Sequence, residues 1–216
     1  MQRLSCGIAK PQEMDLQKLS ITWGICTTTV RELSKNGQGV KQNYTEAISW
    51  LRRAVEQGFA PAQNNLAFMY SHGEGVSQDK SKALELYIMS AEQNYAEAQY
   101  NLGQMYYSGE GVRQDYAETL KWFRKSAELG FDLAQNALGF MYYYGQGVKQ
   151  DYTEAAKWLS KAAEQGLAEA QYNLGNMYYK DEGVKPNYAE ALKWCRKAAE
   201  QGYEPALIAL TKLGEK

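Results

Sequence analysis

A single histidine, His72, in 216 residues removes His-based catalytic triads and multi-histidine metal sites together. The three cysteines, Cys6, Cys26 and Cys195, are odd in number and share no fixed spacing, so no disulfide framework is written into the chain. No run approaches the ~18 apolar residues of a membrane span. The opening MQRLSCGIAKPQEMD lacks the apolar core of a secretory signal, and no hydrophobic segment precedes the lipoprotein-like Leu4-Ser5-Cys6. As written, the chain reads as cytoplasmic; a periplasmic or secreted placement stays open if the N-terminus is incomplete. A formal net charge of −1 supplies no field to hold nucleic acid or anionic lipid. Prolines are few, at 4, against 19 glycines, which suggests helices with regularly placed glycine stops.

What the chain does have is period. The tetrapeptide G-x-G-V occurs at Gly37–Val40, Gly73–Val76, Gly109–Val112 and Gly145–Val148, and the variant Asp181-Glu182-Gly183-Val184 follows. Each copy lies 36 residues after the last, without insertion. Every unit reads as two helices. In the first, Ala98, Leu102, Met105 and Tyr106 form one apolar stripe at helical spacing, with copies starting at Ala62, Ala134, Ala170 and Ala206. In the second, Asp115 is placed as N-cap with Glu118 three residues on, the spacing of a capping box. Asn43/Glu46, Asp151/Glu154 and Asn187/Glu190 repeat this; Asp79 keeps the cap, but Lys82 replaces the acid. Gly58, Gly130, Gly166 and Gly202 sit just past the second helix, with Asn94 in the same slot. All are residues that tolerate the left-handed conformation that ends a helix.

One such hairpin has too little apolar surface to fold alone, so the copies must stack into a continuous core. Trp50, Trp122, Trp158 and Trp194, with Leu86 in the remaining copy, supply large knobs beside small residues such as Ser126/Ala127 and Ala162/Ala163. Aromatic stacking on nucleic-acid bases would require a basic surface that is missing.

Units of the form A-x-x-x-L-G-x-M-Y-x-x-G-x-G-V-x-x-D-Y-x-E-A-x-K-W-x-x-K-A-A-E-x-G resemble the Sel-1-like repeat family, relatives of the tetratricopeptide repeats, over about residues 37–213. The resemblance implies an all-α fold: a right-handed α/α superhelix, or solenoid, of stacked antiparallel helix pairs with the first helix of each pair on the concave side. It also implies an adaptor that gathers other proteins. A cysteine-rich branch of the family joins each helix pair by a disulfide, and some members have been linked to penicillin binding or β-lactamase activity. This chain departs from that branch: Cys195 has no nearby cysteine, and the equivalent slots hold Leu51, Tyr87, Phe123 and Leu159. A hydrolase reading is therefore disfavoured.

Other chemistry fares no better. Ser77-Gln78-Asp79-Lys80 matches S-x-x-K, yet the accompanying S-D-N and K-T-G motifs are absent and Asp79 is already a cap. Glu56, Glu92, Glu128, Glu164 and Glu200 fall on successive repeats and do not converge as an acid–base pair. The glycine loops lack the lysine of a Walker loop and the preceding strand of a dinucleotide fingerprint. No catalytic residue, cofactor or metal is expected.

Binding is expected on the first helices. At about 100° per residue, Tyr100, Gln104 and Tyr107 point away from the apolar stripe. Their counterparts vary: Asn64, Phe68 and Ser71; Asn136, Phe140 and Tyr143; Tyr172, Asn176 and Tyr179. Asn65, Asn101 and Asn173 flank this stripe. Aromatics beside amides suit capture of a peptide segment or a partner protein, because rings supply contact area and amides pair with an extended backbone. The alternative for any one tyrosine is packing against the adjacent repeat.

The division expected is an irregular segment over 1–35 and a repeat array over 36–216 closed by a capping helix with a wet outer side at Thr211 and Lys212. Val30 and Leu33 fall in register with the repeat, while SITWGICTTTV is β-prone; a decayed repeat, a cap and partial disorder all fit residues 1–35.

Overall fold

The computed structural model describes residues 44–212. The expectations for residues 1–35, Asn43/Glu46 and the loop at Gly37–Val40 lie outside the described residues. Ten helices make up the described chain, and no strand occurs in it: α1 (Tyr44–Glu56), α2 (Ala60–His72), α3 (Lys80–Glu92), α4 (Ala96–Ser108), α5 (Tyr116–Glu128), α6 (Asp132–Tyr144), α7 (Tyr152–Glu164), α8 (Ala168–Lys180), α9 (Tyr188–Glu200) and α10 (Glu204–Lys212). The even-numbered helices are the A helices of the repeat, the odd-numbered ones the B helices. The chain divides into two compact units at Leu86/Tyr87, within α3.

In the first unit α1 packs on α2 around Ile48, Leu51, Ala62, Leu66 and Met69, with Phe59, Val76 and Leu86 against them. In the second, each helix from α4 to α10 packs on the next. One continuous core runs through it, built on Phe123, Leu138, Met141, Leu159, Leu174 and Met177. The A-helix stripe of Ala98, Leu102 and Met105 is buried as its periodicity predicts, and Tyr106 is half-buried.

The tryptophan slot is shallower than expected. Trp122 and Trp194 are buried, but Trp158 and Trp50 are only half-buried. Cations cover the rings from outside, with Lys125 Nζ 4.5 Å from the Trp122 ring, Lys161 4.0 Å from Trp158 and Lys197 4.4 Å from Trp194. The next B-helix position, Leu51, Tyr87, Phe123, Leu159 and Cys195, lies deeper than the tryptophans, at 1–7% exposure. Phe123, Leu159 and Cys195 are met by the glycine of the A-helix L-G pair. A Cβ on Gly103 would stand 2.5 Å from the Phe123 ring, one on Gly139 2.7 Å from Leu159 Cγ and one on Gly175 2.8 Å from Cys195 Sγ. The hole is thus on the A helix and the knob beside the tryptophan.

The helix ends follow the predicted signals with one correction. Gly58, Gly130, Gly166, Gly202 and Asn94 all have φ between +61° and +101°. Asp115 Oδ1 accepts from the N–H groups of Ala117 and Glu118, at 2.9 and 3.1 Å, and Asp151, Asn187 and Asp79 cap in the same way. The capping box does not close. The Asp115 N–H already donates to the Tyr106 carbonyl of the preceding A helix at 2.9 Å, and those of Asp79, Asp151 and Asn187 do likewise to Tyr70, Tyr142 and Tyr178. Glu118 is therefore free to accept from Lys121 Nζ (2.9 Å) and the Trp122 indole N–H (3.0 Å).

The second glycine of the loop has a different task. Gly147 (φ +66°) lies so close to Tyr116 that a Cβ would stand 2.6 Å from Tyr116 Cβ and 2.8 Å from its carbonyl oxygen. Gly183 meets the Tyr152 backbone in the same way, so both loops are seated on the start of the preceding B helix and these glycines are packing contacts of the array.

Candidate functional site

The predicted binding stripe is held by A helices whose first turns carry no side-chain cap. Phe59, Tyr95, Phe131 and Leu167 occupy the N-cap position instead, and each half-buries its side chain. Two stripe tyrosines close onto these residues of the next repeat. Tyr100 packs on Phe131 at 5.3 Å and on Phe123 at 5.5 Å, and Tyr172 packs on Tyr203 at 5.6 Å. Burial, more than any neighbouring charge, pushes the Tyr100 hydroxyl up in pKa, while Gln104 Nε2 donates to its oxygen at 2.6 Å.

At the C-terminal ends of the A helices a second pair crosses between repeats. The Tyr107 hydroxyl donates to Gln146 Oε1 (3.2 Å) and the Tyr143 hydroxyl to Glu182 Oε2 (2.6 Å). The Glu182 bond, followed by burial, raises the Tyr143 pKa. Tyr179, in the same slot of α8, is 58% exposed.

The placement of Asn64 and Asn136 corrects the expectation. Both face inward, at 1% and 6% exposure, because a short amide does not reach as far out as the half-buried Tyr100 and Tyr172 that fill the same slot. The amides and rings that do reach the surface in part are Asn65, Phe68, Asn101, Gln104, Phe140, Asn173 and Asn176. Phe68 is stacked on His72 at 4.0 Å and Phe140 on Tyr144 at 6.1 Å. Two polar atoms of the stripe are buried without a hydrogen-bond partner, Asn136 Oδ1 and Asn173 Nδ2.

Sequence reasoning missed a glutamine ladder in the second unit. Gln99, Gln135 and Gln171, all buried in A helices, each donate to a carbonyl in the last turn of the preceding B helix: Ala91, Ala127 and Ala163, at 3.0–3.1 Å. Gln165 and Gln201, one repeat on, donate back to Gln135 Oε1 and Gln171 Oε1 at 2.8 and 2.9 Å. The recurring A-Q dipeptide was the available signal.

Among the described residues no cluster of histidine, cysteine, aspartate or glutamate could hold a metal ion, and no helix is long and apolar enough to cross a membrane. Ser77 is exposed in a loop, and Asp79 is spent on its cap. Cys195 is a buried free thiol whose pKa burial raises.

Tandem A–B hairpins at a fixed 36-residue period, held by small-residue holes and a shared core, define a helical-repeat protein of the tetratricopeptide-like class. The chain belongs to the Sel1 repeat family: the family model matches residues 32–59, 60–95, 96–131, 132–167 and 168–203. Proteins of this family are generally protein-interaction scaffolds. Among solved structures, a protective antigen of uropathogenic Escherichia coli displaying an SLR fold is 38% identical, with a TM-score of 0.78. The match covers 93% of this chain but 44% of that one, so the chain spans less than half the antigen's length. A Sel1 repeat protein from Oxalobacter formigenes is 32% identical over 94% of this chain and 80% of its own, with a TM-score of 0.81. Helicobacter pylori cysteine rich protein B is 28% identical over 64% of this chain and 99% of its own, at 0.50. No curated protein matches.

Proposed function

We propose that the chain is a non-catalytic adaptor that binds an extended peptide segment of a partner protein along the A helices of its second unit. The observation that carries this reading is the row of amides and rings that reach the surface in part on successive A helices: Asn101 and Gln104, then Phe140, then Asn173 and Asn176. A peptide main chain offers a donor and an acceptor at every residue, so amides along this stripe suit its hydrogen bonding while Phe140 supplies apolar contact. Nothing supports the hydrolase alternative.

A phage-displayed peptide library panned on the full chain tests the reading. Enriched peptides should lose binding to a Phe140→Ala/Asn173→Ala variant and keep it to Lys125→Ala/Lys161→Ala, which alters the outer face of the B helices. Failure to enrich any peptide, or binding indifferent to the first variant, would overturn it.

A further inference from the structure

Charge divides unevenly between the two kinds of helix in the second unit. α4 and α6 carry no lysine or arginine, and the one base of α8, Lys180, is its last residue. Their acids, Glu97, Asp132 and Glu169, stand in the first turns. The B helices hold the lysines and commit them. Lys121, Lys157 and Lys193 pair with glutamates one turn back in their own helices, and the next lysine of each lies over a tryptophan ring. Asp132 and Glu169, both half-buried, enter no ion pair. Asp132 Oδ1 accepts from the Leu133 N–H at 2.8 Å.

The stripe also has a gap. One slot holds Tyr100 on α4, Asn136 on α6 and Tyr172 on α8. The tyrosine rings reach the first residues of the following repeat, Phe131 and Tyr203, whereas Asn136 is short and 6% exposed, so the row of rings is open over α6. Asn136 Oδ1 has no hydrogen-bond partner, so no donor of the chain is committed to it. Behind burial, which is the main cause, the charges of Glu169 and Asp132 raise the Tyr100 pKa. A carboxylate two A helices away thus acts on the Tyr100 hydroxyl across α6. Burial and then Glu169 raise the Tyr203 pKa as well. Partly desolvated carboxylates beside an aromatic ring, with no base of their own, attract a cation.

We infer that, given the peptide binding proposed above and resting on it, the bound segment is cationic. A lysine or arginine side chain of the segment sits in the opening over Asn136, against the Tyr100 ring and between the carboxylates of Asp132 and Glu169. The occupant is charged rather than merely polar, because only a cation offsets half-buried carboxylates that the chain itself leaves unpaired. First-turn acids also stabilise their own helices; that role asks nothing of Tyr100 or of a short residue at 136.

Peptides enriched by panning a random phage library on the full chain should share a lysine or arginine. The strongest of them, made synthetically and titrated, should lose affinity as salt rises from about 0.05 to about 0.5 M. Asp132→Asn/Glu169→Gln should weaken it about tenfold or more with far-UV circular dichroism unchanged. So should Asn136→Tyr, which closes the opening with the ring found in the copies on either side. Glu118→Gln/Glu190→Gln removes the same charge from the B helices and should leave the affinity within about twofold. Changing the peptide's basic residue to glutamine should cost as much as Asp132→Asn/Glu169→Gln, and the two losses should not add. Enrichment of no peptide would overturn this proposal together with the peptide reading. Enriched peptides without a base would overturn this proposal alone. So would peptides that bind both A-helix variants as tightly as the parent while losing affinity for Phe140→Ala/Asn173→Ala. An equal loss from the B-helix variant would overturn it too, as an effect of net charge.

Discussion

Replacing Leu129 with glutamine should stabilise the second unit. Gln165 and Gln201 each bridge two acceptors: the side-chain oxygen of an A-helix glutamine, and the carbonyl of Gly130 or Gly166 at 3.0 and 2.9 Å. Position 129 is the same slot one repeat earlier, but leucine cannot donate. Gln99 is therefore wholly buried with its Oε1 unpartnered. Supplying the donor relieves about 1–3 kcal/mol of unsatisfied burial, and ordering a glutamine in place of a leucine costs about 1 kcal/mol of rotamer freedom. Leu129 is 53% exposed, so its removal forfeits little packing. The net expectation is a gain of about 1 kcal/mol, or about 2–4 °C in melting temperature for a chain of this size. Urea denaturation followed by circular dichroism measures it. The same substitution in a Gln99→Met background should gain only a few tenths of a kcal/mol. A neutral or destabilising Leu129→Gln, or a gain that persists without Gln99, would refute the reasoning.

Other outcomes follow from the same geometry. Gly147→Ala should cost about 2 kcal/mol or more, since its Cβ would meet Tyr116 backbone in a left-handed conformation, while Gly166→Ala, with open space around it, should cost about 1 kcal/mol; thermal melts compare them. Asp115→Ala should cost about 1 kcal/mol, whereas Glu118→Gln should change stability by less than about 0.5 kcal/mol, because Glu118 does not close the cap. Burial, then Glu97, pushes the Tyr95 hydroxyl up to about 12. A tyrosine whose folded pKa is raised contributes stability that is present below its unfolded value near 10 and lost as pH rises toward 12. Denaturation across that window should show the fall, and Tyr95→Phe should lessen it.

Much of this fold was legible because the repeat states its own rules five times. Caps at Asp115 and Asp151, stops at Gly130 and Asn94, and the Ala98–Leu102–Met105 stripe are local signals, and local signals survive in one sequence. What was not legible depends on distances between helices. The capping box at Glu118 failed because a carbonyl of another helix, Tyr106, reaches the N–H first. The tryptophans were read as the core knobs on size, but the adjacent position points straight at the glycine hole. Helical phase predicted that Asn64 and Tyr100 share a side; it could not tell that the asparagine sinks below the surface while the tyrosine bridges to the next repeat. The glutamine ladder was visible as a recurring letter, but its purpose appears only when residues 30 positions apart meet.

Calorimetric titration of a selected peptide into the full chain and into Phe140→Ala/Asn173→Ala tests most directly the proposal that this chain binds peptides along its A-helix stripe. Binding should weaken at least tenfold, a loss of about 1.4 kcal/mol, with the melting temperature preserved. Equal affinity for both proteins, or a loss produced instead by Lys125→Ala/Lys161→Ala, would contradict it.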